Sequence, residues 1–292
     1  MAKSVLVFGA SGLLGSTLSP LLERAGFLVI RQGRDNDADI ICNPVETKSV
    51  KAILNECHPS VIINLVANSN VDFCEGHISE AYLANARPVE ILVAEIQKMS
   101  PKPHLIHIST DHVYGAIGPH SELTVLPKNV YALTKLYGEE IALKAGATVL
   151  RTNFFGRSKT VKRASFTDWL YQSLISGQPF TVFEDVFFSA LNMKDLSAFI
   201  ITVAHMKISG VFNVGSRKGL SKAKTAELFA SNLGLDPLNM SKGSIKDKLL
   251  PAQRPLDMRM DSTAFEVAFS LRVPDMVDQV YDAAKDYRSL KL

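Results

Sequence analysis

The sequence predicts an α/β protein with a doubly wound parallel sheet and a smaller C-terminal lobe. Apolar runs alternate with helical patterns through the first half of the chain, as in repeated strand–helix–strand units. A glycine-rich turn lies between the first predicted strand and the first predicted helix. The 292 residues are 47% hydrophobic and 21% charged, which is typical of a globular protein large enough for a main domain and a smaller unit.

Short apolar segments predict the strands, and amphipathic segments between them predict the helices. The first strand runs into the glycine turn, and Gly26 ends the first helix. The long helical segment at 77–99 contains Pro88, which predicts an irregularity there. The predicted strands lie at 4–9, 27–32, 60–67, 104–110, 147–156 and 210–215. The predicted helices lie at 15–26, 46–57, 77–99, 129–146, 166–177, 193–206 and 221–234.

The regular alternation loosens after Gly156. Residues 179–192 are rich in aromatic side chains and predict a strand and loop near a ligand. The end of the chain, residues 221–234 and then 244–269, has a helix and a proline-bearing connection. We therefore expect two domains. The larger comprises residues 1–156 with about 190–215, and the smaller lobe comprises 157–189 with 216–292.

Charge and cysteine content exclude several classes of protein. The net charge of +3 and the pI of about 8.6 come from Lys and Arg spread along the chain, which argues against nucleic acid as a partner. The apolar run near the N-terminus is too short for a signal peptide or membrane span. Three cysteines without zinc-site spacing predict a reducing compartment, the cytoplasm, and no metal site. A homodimer is left open.

The glycine turn predicts a pyrophosphate site. Gly9, Gly12 and Gly15 follow the first strand and lead into the first helix, whose positive end attracts anions. A purely structural turn is the alternative, which the strand–turn–helix context disfavours. The G-x-x-G-x-x-G spacing resembles the extended branch of the short-chain dehydrogenase/reductase superfamily, which has a Rossmann domain. That resemblance implies dinucleotide contacts from the turn, including Ser11, Leu13 and Leu14.

The end of the second strand bears on the choice of dinucleotide. Arg31 and Arg34 lie near the point where an acid would bind the ribose of NAD, and no acid follows until Asp35. This favours NADP, with NAD left open, and solvated surface charges are the alternative reading of both arginines. The resemblance also implies that Asp39 and Ile40 lie beside the adenine.

Two further stretches predict one catalytic site. Thr110 ends a parallel strand, at the edge where open α/β sheets build their sites. Tyr131 and Lys135 are four residues apart and therefore share one helix face. Such a pair is common by chance, but its place after the strand favours convergence of Thr110 and Tyr131 on a carbonyl oxygen. The predicted chemistry is hydride transfer, with Tyr131 as proton donor, Thr110 polarising the oxygen and Lys135 lowering the phenol pKa.

Several segments together resemble the dTDP-4-dehydrorhamnose reductase family. They are GASGLLG, INLVANSNVDFCE, ANARPVEILV, HISTDHVYG, YALTKLYGEEIAL, VLRTNFFG and GVFNVG. This resemblance implies an oxidoreductase of enzyme class EC 1.1.1.-, and within that class EC 1.1.1.133. The resemblance implies that Thr110, Tyr131 and Lys135 are catalytic. It also implies further cofactor contacts from Leu65, Val66, Ala67 and Asn85, and substrate contacts from Asp111, His112, Asn153 and Arg254.

His112 separates this chain from the related sugar-nucleotide dehydratases, which carry an Asp-Glu pair after the Thr. Here the second carboxylate is absent, and His112 is either a sugar contact or a partly exposed strand-end residue. The segment at 187–192 departs from the Ser-Pro-Thr run common in the reductase family. Lys159, Lys162 and Arg163 are candidates for the substrate diphosphate or are solvated loop charges.

The resemblance implies an NADP-dependent reductase of a nucleotide-activated 4-keto-6-deoxy sugar in surface polysaccharide synthesis. The larger domain would bind the dinucleotide and the smaller lobe the nucleotide sugar. One alternative is an epimerase or reductase of another nucleotide sugar. The other is a regulatory nucleotide-binding subunit similar to the beta subunit of methionine adenosyltransferase.

Overall fold

The computed structural model describes residues 3–34, 38–161 and 163–288, and strands alternate with helices along most of this length. The strands are β1 Ser4–Phe8, β2 Leu28–Gly33, β3 Ile40–Ile41, β4 Val61–Asn64, β5 His104–Thr110, β6 Thr148–Thr152, β7 Phe154–Phe155, β8 Phe180–Phe183, β9 Phe187–Phe188, β10 Leu191–Asn192, β11 Gly210–Val214, β12 Leu220–Ser221, β13 Met240–Gly243 and β14 Asp257–Met258. The helices are α1 Gly15–Arg24, α2 Thr47–Cys57, α3 Val71–Gly76, α4 Ile78–Asn85, α5 Arg87–Ile96, α6 Val130–Leu143, α7 Phe166–Ser176, α8 Met193–Met206, α9 Lys222–Leu233, α10 Thr263–Phe269 and α11 Met276–Arg288.

Within the described residues, seven parallel strands form the central sheet, in the order β11-β6-β5-β4-β1-β2-β3. The strand order reverses beside β1, which pairs with β2 on one side and β4 on the other. Phe8 is in register with both Gln32 and Asn64, so the carboxyl ends of these strands lie together. The predicted doubly wound α/β fold is confirmed.

Alternation along β1 separates the two faces of the sheet. Val5 and Val7 face one core, which α1, α8 and α10 cover. Leu6 and Phe8 face the opposite core, which α2, α5 and α6 cover. Parallel strands buried on both faces explain why these segments are almost wholly apolar in the sequence.

A third core lies in the later part of the chain. Helices α7, α9 and α11 pack there around Phe229 and Phe188, with short strands β8 and β9 beside them. The division of the chain into two domains stays a prediction. Phe265 and Phe269 of α10, which that division assigns to the smaller lobe, pack in the core under the central sheet.

The long predicted helix at 77–99 is two helices, α4 and α5, with the break at Ala86. Pro88 causes this break because it has no N–H for an intrahelical bond and its ring crowds the preceding turn. The predicted strand at 147–156 is likewise divided into β6 and β7. The sequence prediction also missed α3 and α11, although buried residues at helical spacing in α11 indicate a helix.

A buried ion pair connects the helix α6 to the centre of the sheet. Arg151 on β6 donates to Glu139 on α6, with 2.7 Å between Nη2 and Oε2 and 2.9 Å between Nε and Oε2. Ser109 on β5 donates to the other carboxylate oxygen. Arg151 Nη1 lies 3.1 Å from the Tyr114 hydroxyl, which donates to Asn213 Oδ1 on β11 at 2.5 Å. This network therefore fixes α6 relative to three neighbouring strands.

Replacing one partner of this ion pair should strongly destabilise the fold. Glu139→Gln leaves the Arg151 charge buried without its carboxylate, and we expect the free energy of unfolding to fall by about 3–5 kcal/mol. Urea unfolding of the variant and the wild type measures this change. Glu140→Gln, at the exposed neighbouring position, is the control. A loss below about 1 kcal/mol in Glu139→Gln would contradict the proposed importance of the pair.

Candidate active site

The candidate residues gather at the carboxyl edge of the sheet, where β1, β4 and β5 end. Phe8 pairs with Asn64, which in turn pairs with His107, so the loops after the three strands are adjacent. The crevice beside the reversal point is where open α/β sheets bind ligands. The glycine turn, the 65–67 loop and the segment after Thr110 all border this crevice.

The glycine turn has the shape of an anion cradle. Gly9 has a φ of +79°, in the left-handed region that favours glycine. A Cβ at Gly15 would lie 2.5 Å from the Ala10 carbonyl oxygen, so a side chain is excluded there. Ser11 lies against Gly33 at the end of β2, and Leu14 is buried beneath the turn. This tight entry into α1 fits a pyrophosphate at the helix N-terminus.

Gln32 holds the glycine turn in place and was missed by the sequence prediction. The Gly9 N–H donates to Gln32 Oε1 at 3.0 Å, and Gln32 Nε2 donates to the carbonyls of Gly33 and Cys42. The side chain is 1% exposed, so these bonds are shielded from water. A polar amide next to Arg31 at the end of a strand was the available signal, and it does not distinguish Gln32 from a surface residue.

The two arginines predicted to favour NADP, Arg31 within β2 and Arg34 just after it, have different surroundings. Arg31 forms ion pairs with Glu23 and with Asp39, the latter at 3.3 Å, so its guanidinium already has two carboxylate partners. Arg34 is exposed directly after β2. Ile40 begins β3 and pairs with Gln32. Asp35 lies outside the described residues, and the cofactor roles of these residues stay predictions.

The loop after β4 lies close to the glycine turn. A Cβ at Gly9 would meet backbone atoms of Leu65 and Val66 at 3.4 Å, and Ala67 follows in the same loop. Asn85 is fully buried and accepts from the Asn68 N–H at 2.7 Å. Its Nδ2 donates to the Thr134 hydroxyl at 3.1 Å. The Asn85 amide thus ties this loop to α6, in addition to any contact it makes with a cofactor.

Thr110 and Tyr131 come together at the end of β5. Thr110 is 4% exposed, and Tyr131 is 8% exposed in the first turn of α6. Burial raises the pKa of Tyr131 to about 12, while a hydrogen bond with the Thr110 hydroxyl acts to lower it. The phenol is therefore protonated at neutral pH.

Lys135 lies four residues after Tyr131 and is 2% exposed. Its Nζ donates to the Ile108 carbonyl at 2.7 Å and lies 3.5 Å from His107 Nε2. Burial lowers the pKa of Lys135 to about 8, against the opposing charge of Glu139. Burial is the dominant influence on the Tyr131 pKa, and the role of Lys135 in lowering that pKa stays a prediction.

His107 is a second buried residue that the sequence prediction missed. Asn64 Nδ2 lies 3.1 Å from His107 Nδ1, and burial holds the His107 pKa well below its usual value. The neutral ring connects β4 through β5 to the Lys135 ammonium. A histidine between the apolar residues Ile106 and Ile108 was the available sequence signal.

The predicted substrate residues lie on the other side of Thr110. Asn153 Nδ2 donates to Asp111 Oδ2 at 2.7 Å, and burial raises the pKa of Asp111 to about 6. The His112 ring meets the Tyr131 ring edge-on, with centroids 5.5 Å apart. Arg254 forms an ion pair with Asp72 at 2.8 Å.

Two of these predicted residues share a cationic neighbour that the sequence prediction missed. The charge of Lys222 lowers the pKa of both Asp111 and His112, although burial is the larger influence on each.

The predicted diphosphate contact Lys159 lines a surface hollow of about 590 Å³ with Arg157 and Lys194. Lys162 lies outside the described residues.

Across residues 3–34, 38–161 and 163–288, no three His, Cys, Asp or Glu side chains are grouped as metal ligands. In the same ranges, no helix has both the length and the apolar character needed to cross a bilayer.

Comparison with known proteins places these observations in a family. The model of the family described as RmlD substrate binding domain matches residues 3–289. The chain is 24% identical over 287 residues to the probable low-salt glycan biosynthesis reductase Agl14 of Haloferax volcanii, covering 94% of this chain and 95% of the relative. It is 27% identical over 292 residues to the dTDP-4-dehydrorhamnose reductase of Escherichia coli, covering 93% and 94%.

A solved structure has the same fold. The dTDP-4-dehydrorhamnose reductase of Bacillus anthracis, in complex with NADP, superposes with a TM-score of 0.89 at 20% identity. The superposition covers 98% of this chain and all of the other.

Removing the Gln32 side-chain carbonyl should loosen the glycine turn and weaken dinucleotide binding. Gln32→Leu leaves the Gly9 N–H without its acceptor, and we expect the Kd for NADPH to rise about 10-fold. Fluorescence titration measures the Kd. Gln97→Leu, at the exposed residue that directly follows α5, should bind as the wild type does. An unchanged Kd in Gln32→Leu would show that the turn holds its shape without this bond.

The stability of an Asp111→Asn variant should depend on pH. Because burial raises the folded-state pKa of Asp111 to about 6, its favourable contribution is present below about pH 4 and is lost as pH rises through 6. The asparagine cannot ionise. We therefore expect Asp111→Asn to match the wild type near pH 4 and to exceed its stability by up to about 3 kcal/mol above pH 6.

Denaturant unfolding across this pH range tests the effect. Asp257→Asn is the control of opposite sign: burial acts to raise the pKa of Asp257, but hydrogen bonds from Arg259 and its charge lower it overall. That variant should lose stability at neutral pH. A pH-independent difference between Asp111→Asn and the wild type would contradict the prediction.

Proposed function

Because the chain belongs to the RmlD substrate binding domain family, we propose that it is an NADP-dependent reductase of a nucleotide-activated 4-keto-6-deoxy sugar. The resemblance to dTDP-4-dehydrorhamnose reductases predicted from the sequence is confirmed by this match and by the relative in Escherichia coli. The Haloferax volcanii relative supports a place in the synthesis of surface glycans.

The observation that carries the proposal is the placement of buried Thr110 at the end of β5 and buried Tyr131 in the first turn of α6, where the Tyr131 ring lies 5.5 Å from that of His112, at the edge that also holds the glycine turn. A carbonyl oxygen held between these two hydroxyls would receive two hydrogen bonds as it gains negative charge. Tyr131 Oη, protonated at neutral pH, is the proton donor to that oxygen. The bound nicotinamide supplies the hydride.

Lys135 supports this proton transfer from the same face of α6. When Tyr131 gives up its proton, a phenolate remains in a buried environment, where an unpaired negative charge is costly. The Lys135 ammonium, fixed by the Ile108 carbonyl, supplies the nearest positive charge on that helix face and favours the phenolate.

Reduction is favoured over dehydration by the groups that follow Thr110. Asp111 is a buried carboxyl bonded to Asn153, and His112 is a neutral imidazole whose pKa burial lowers to about 3. A dehydratase needs a second acid here to remove the leaving hydroxyl, and a neutral ring of such low basicity does not supply one. We therefore favour a substrate that is already a ketone.

The proposal includes NADP as the preferred cofactor, since the turn fits a pyrophosphate and the exposed Arg34 follows β2. NAD remains the alternative. A homodimer and a cytoplasmic location complete the proposal. The first is supported by exposed apolar side chains on α4 and α6, such as Leu83 and Leu133. The second is supported by the three free cysteines.

Turnover of dTDP-4-keto-6-deoxyglucose tests this function, and Tyr131→Phe tests its mechanism. We expect the wild type to oxidise NADPH faster than NADH in the presence of this sugar. Tyr131→Phe removes the proton donor and should lower kcat by about 10²–10⁴-fold, while the Kd for NADPH stays within about twofold. Absorbance of the reduced nicotinamide measures both cofactors.

Tyr137→Phe, at an exposed position on the same helix, should keep full activity. Full activity in Tyr131→Phe would refute the mechanism. Cofactor binding without turnover of this ketone, or of a related nucleotide sugar, would refute the reductase function and favour a regulatory nucleotide-binding role.

A further inference from the structure

Lys222 is a half-buried cation at the start of α9, in the part of the chain that packs around Phe229. Its Nζ lies 3.7 Å from the centroid of the Phe188 ring and 4.4 Å from that of the Phe166 ring. Two aromatic faces thus hold the ammonium in one place. Ser221 caps the helix by accepting the Lys224 N–H, which fixes the backbone from which Lys222 projects.

No ion pair joins Lys222 to a carboxylate within the part of the chain that the structure describes. Its neighbours differ in this respect: Lys224 pairs with Glu227 at 3.3 Å, and Arg254 pairs with Asp72 at 2.8 Å. Burial lowers the pKa of Lys222 to about 8, and the more distant charge of Asp111 offsets only part of this effect. A desolvated cation without a partner is costly, and such a group is commonly completed by a ligand.

His112 provides a second, independent observation on the same side of Thr110. Its Nδ1 is buried and has no hydrogen-bond partner among the described residues. Hydrogen bonds join the segments that carry these two groups. The Leu191 N–H, three residues after Phe188, donates to the Asn153 carbonyl at 2.9 Å, and Asn153 Nδ2 donates to Asp111, the residue before His112, at 2.7 Å. A nitrogen without a hydrogen-bond partner and a cation without an ion pair therefore lie on segments that meet beside Tyr131.

We propose that Lys222 binds an oxyanion of the substrate and is a specificity-determining residue of this site. The inference rests on the proposed function, because it takes the ligand to be a nucleotide sugar. Two sources supply the same chemistry: the diphosphate, or a carboxylate on the sugar ring. Either would replace the water lost by the Lys222 ammonium and bring the direct ion pair that no carboxylate among the described residues forms with it.

Calorimetric binding to the full-length protein tests the proposal with three probes: dTDP, dTDP-glucose and dTDP-glucuronate. Lys222→Met keeps the length of the side chain and its contact with both rings but removes the charge. If the diphosphate is the ligand, the affinity for all three probes should fall about 10- to 100-fold. If a sugar carboxylate is the ligand, only the affinity for dTDP-glucuronate should fall, by a similar factor.

The matched control is Lys224→Met, an exposed lysine on the same helix, which should bind all three probes as the wild type does. Thermal unfolding separates binding from a structural role. We expect Lys222→Met to have an unchanged or higher Tm, because the substitution removes a desolvated charge and preserves apolar packing. A lower Tm with unchanged affinities would assign Lys222 a structural role and overturn the proposal.

Failure of this inference is distinguishable from failure of the proposed function. If the wild type reduces the keto sugar and Lys222→Met binds every probe within about twofold of the wild type, the inference is wrong and the reductase function stands. A wild type that binds none of the probes and turns over no nucleotide sugar would overturn both.

Discussion

The buried pair of Arg151 and Glu139 is the constraint on which the geometry of the site depends. Tyr131, Lys135 and Glu139 follow one another at four-residue spacing and lie on one face of α6. Because Arg151 and Ser109 hold the Glu139 carboxylate against β5 and β6, the rotation of the helix about its axis is fixed. The same rotation directs the phenol toward Thr110 and the ammonium toward Ile108. Structural and catalytic positions are thus coupled through one helix face.

Desolvation sets the charge state of the whole crevice. Burial raises the pKa of Tyr131 and Asp111 and lowers the pKa of Lys135 and His112, so the neutral form of every one of these groups becomes easier to reach. A proton donor benefits directly from this environment, since the phenol keeps its proton until negative charge develops on a nearby oxygen. The cost is that cations in the crevice depend on fixed carbonyls or aromatic rings for their stabilisation.

The sequence predicted the parts of the protein that follow from local pattern. Strand–helix alternation identified the central sheet, and the glycine spacing identified the turn at Gly9 because that backbone conformation is restricted to few residue types. The family resemblance that the motifs carried is confirmed, while the roles assigned to Thr110, Tyr131 and Lys135 stay predictions. Sequence spacing alone places Tyr131 and Lys135 on one helix face. Bringing Thr110 to the same place also requires the topology of the sheet.

The sequence did not reveal residues whose importance comes from long-range contact. Gln32 and His107 are polar residues in strands that contain other polar residues. Their local sequence does not indicate that Gln32 supports a turn or that His107 lies beside an ammonium. Lys222 is 112 residues beyond Thr110, in another part of the fold, and periodicity in α9 marks it only as a surface cation. The helix α11 was missed although its buried residues recur at helical spacing. Hydrophobic periodicity predicted one helix over residues 77–99, whereas Pro88 divides that segment into α4 and α5.

The chain passes repeatedly between the core that contains Val5 and Val7, on one face of the central sheet, and the core around Phe229, and this affects how the protein folds. Phe155 and Phe188 pack in the core around Phe229, whereas Leu191 and Val214 pack in the core of the sheet. Met258 lies again in the core around Phe229, Phe265 in the core of the sheet, and Met276 once more in the core around Phe229. Such interlacing raises the mean sequence separation of contacting residues, which slows folding. Because the chain crosses between the two cores several times, no single connecting segment separates them into independent domains. The protein should therefore unfold as one cooperative unit. The segments that form either core should not fold on their own when they are transferred to another protein.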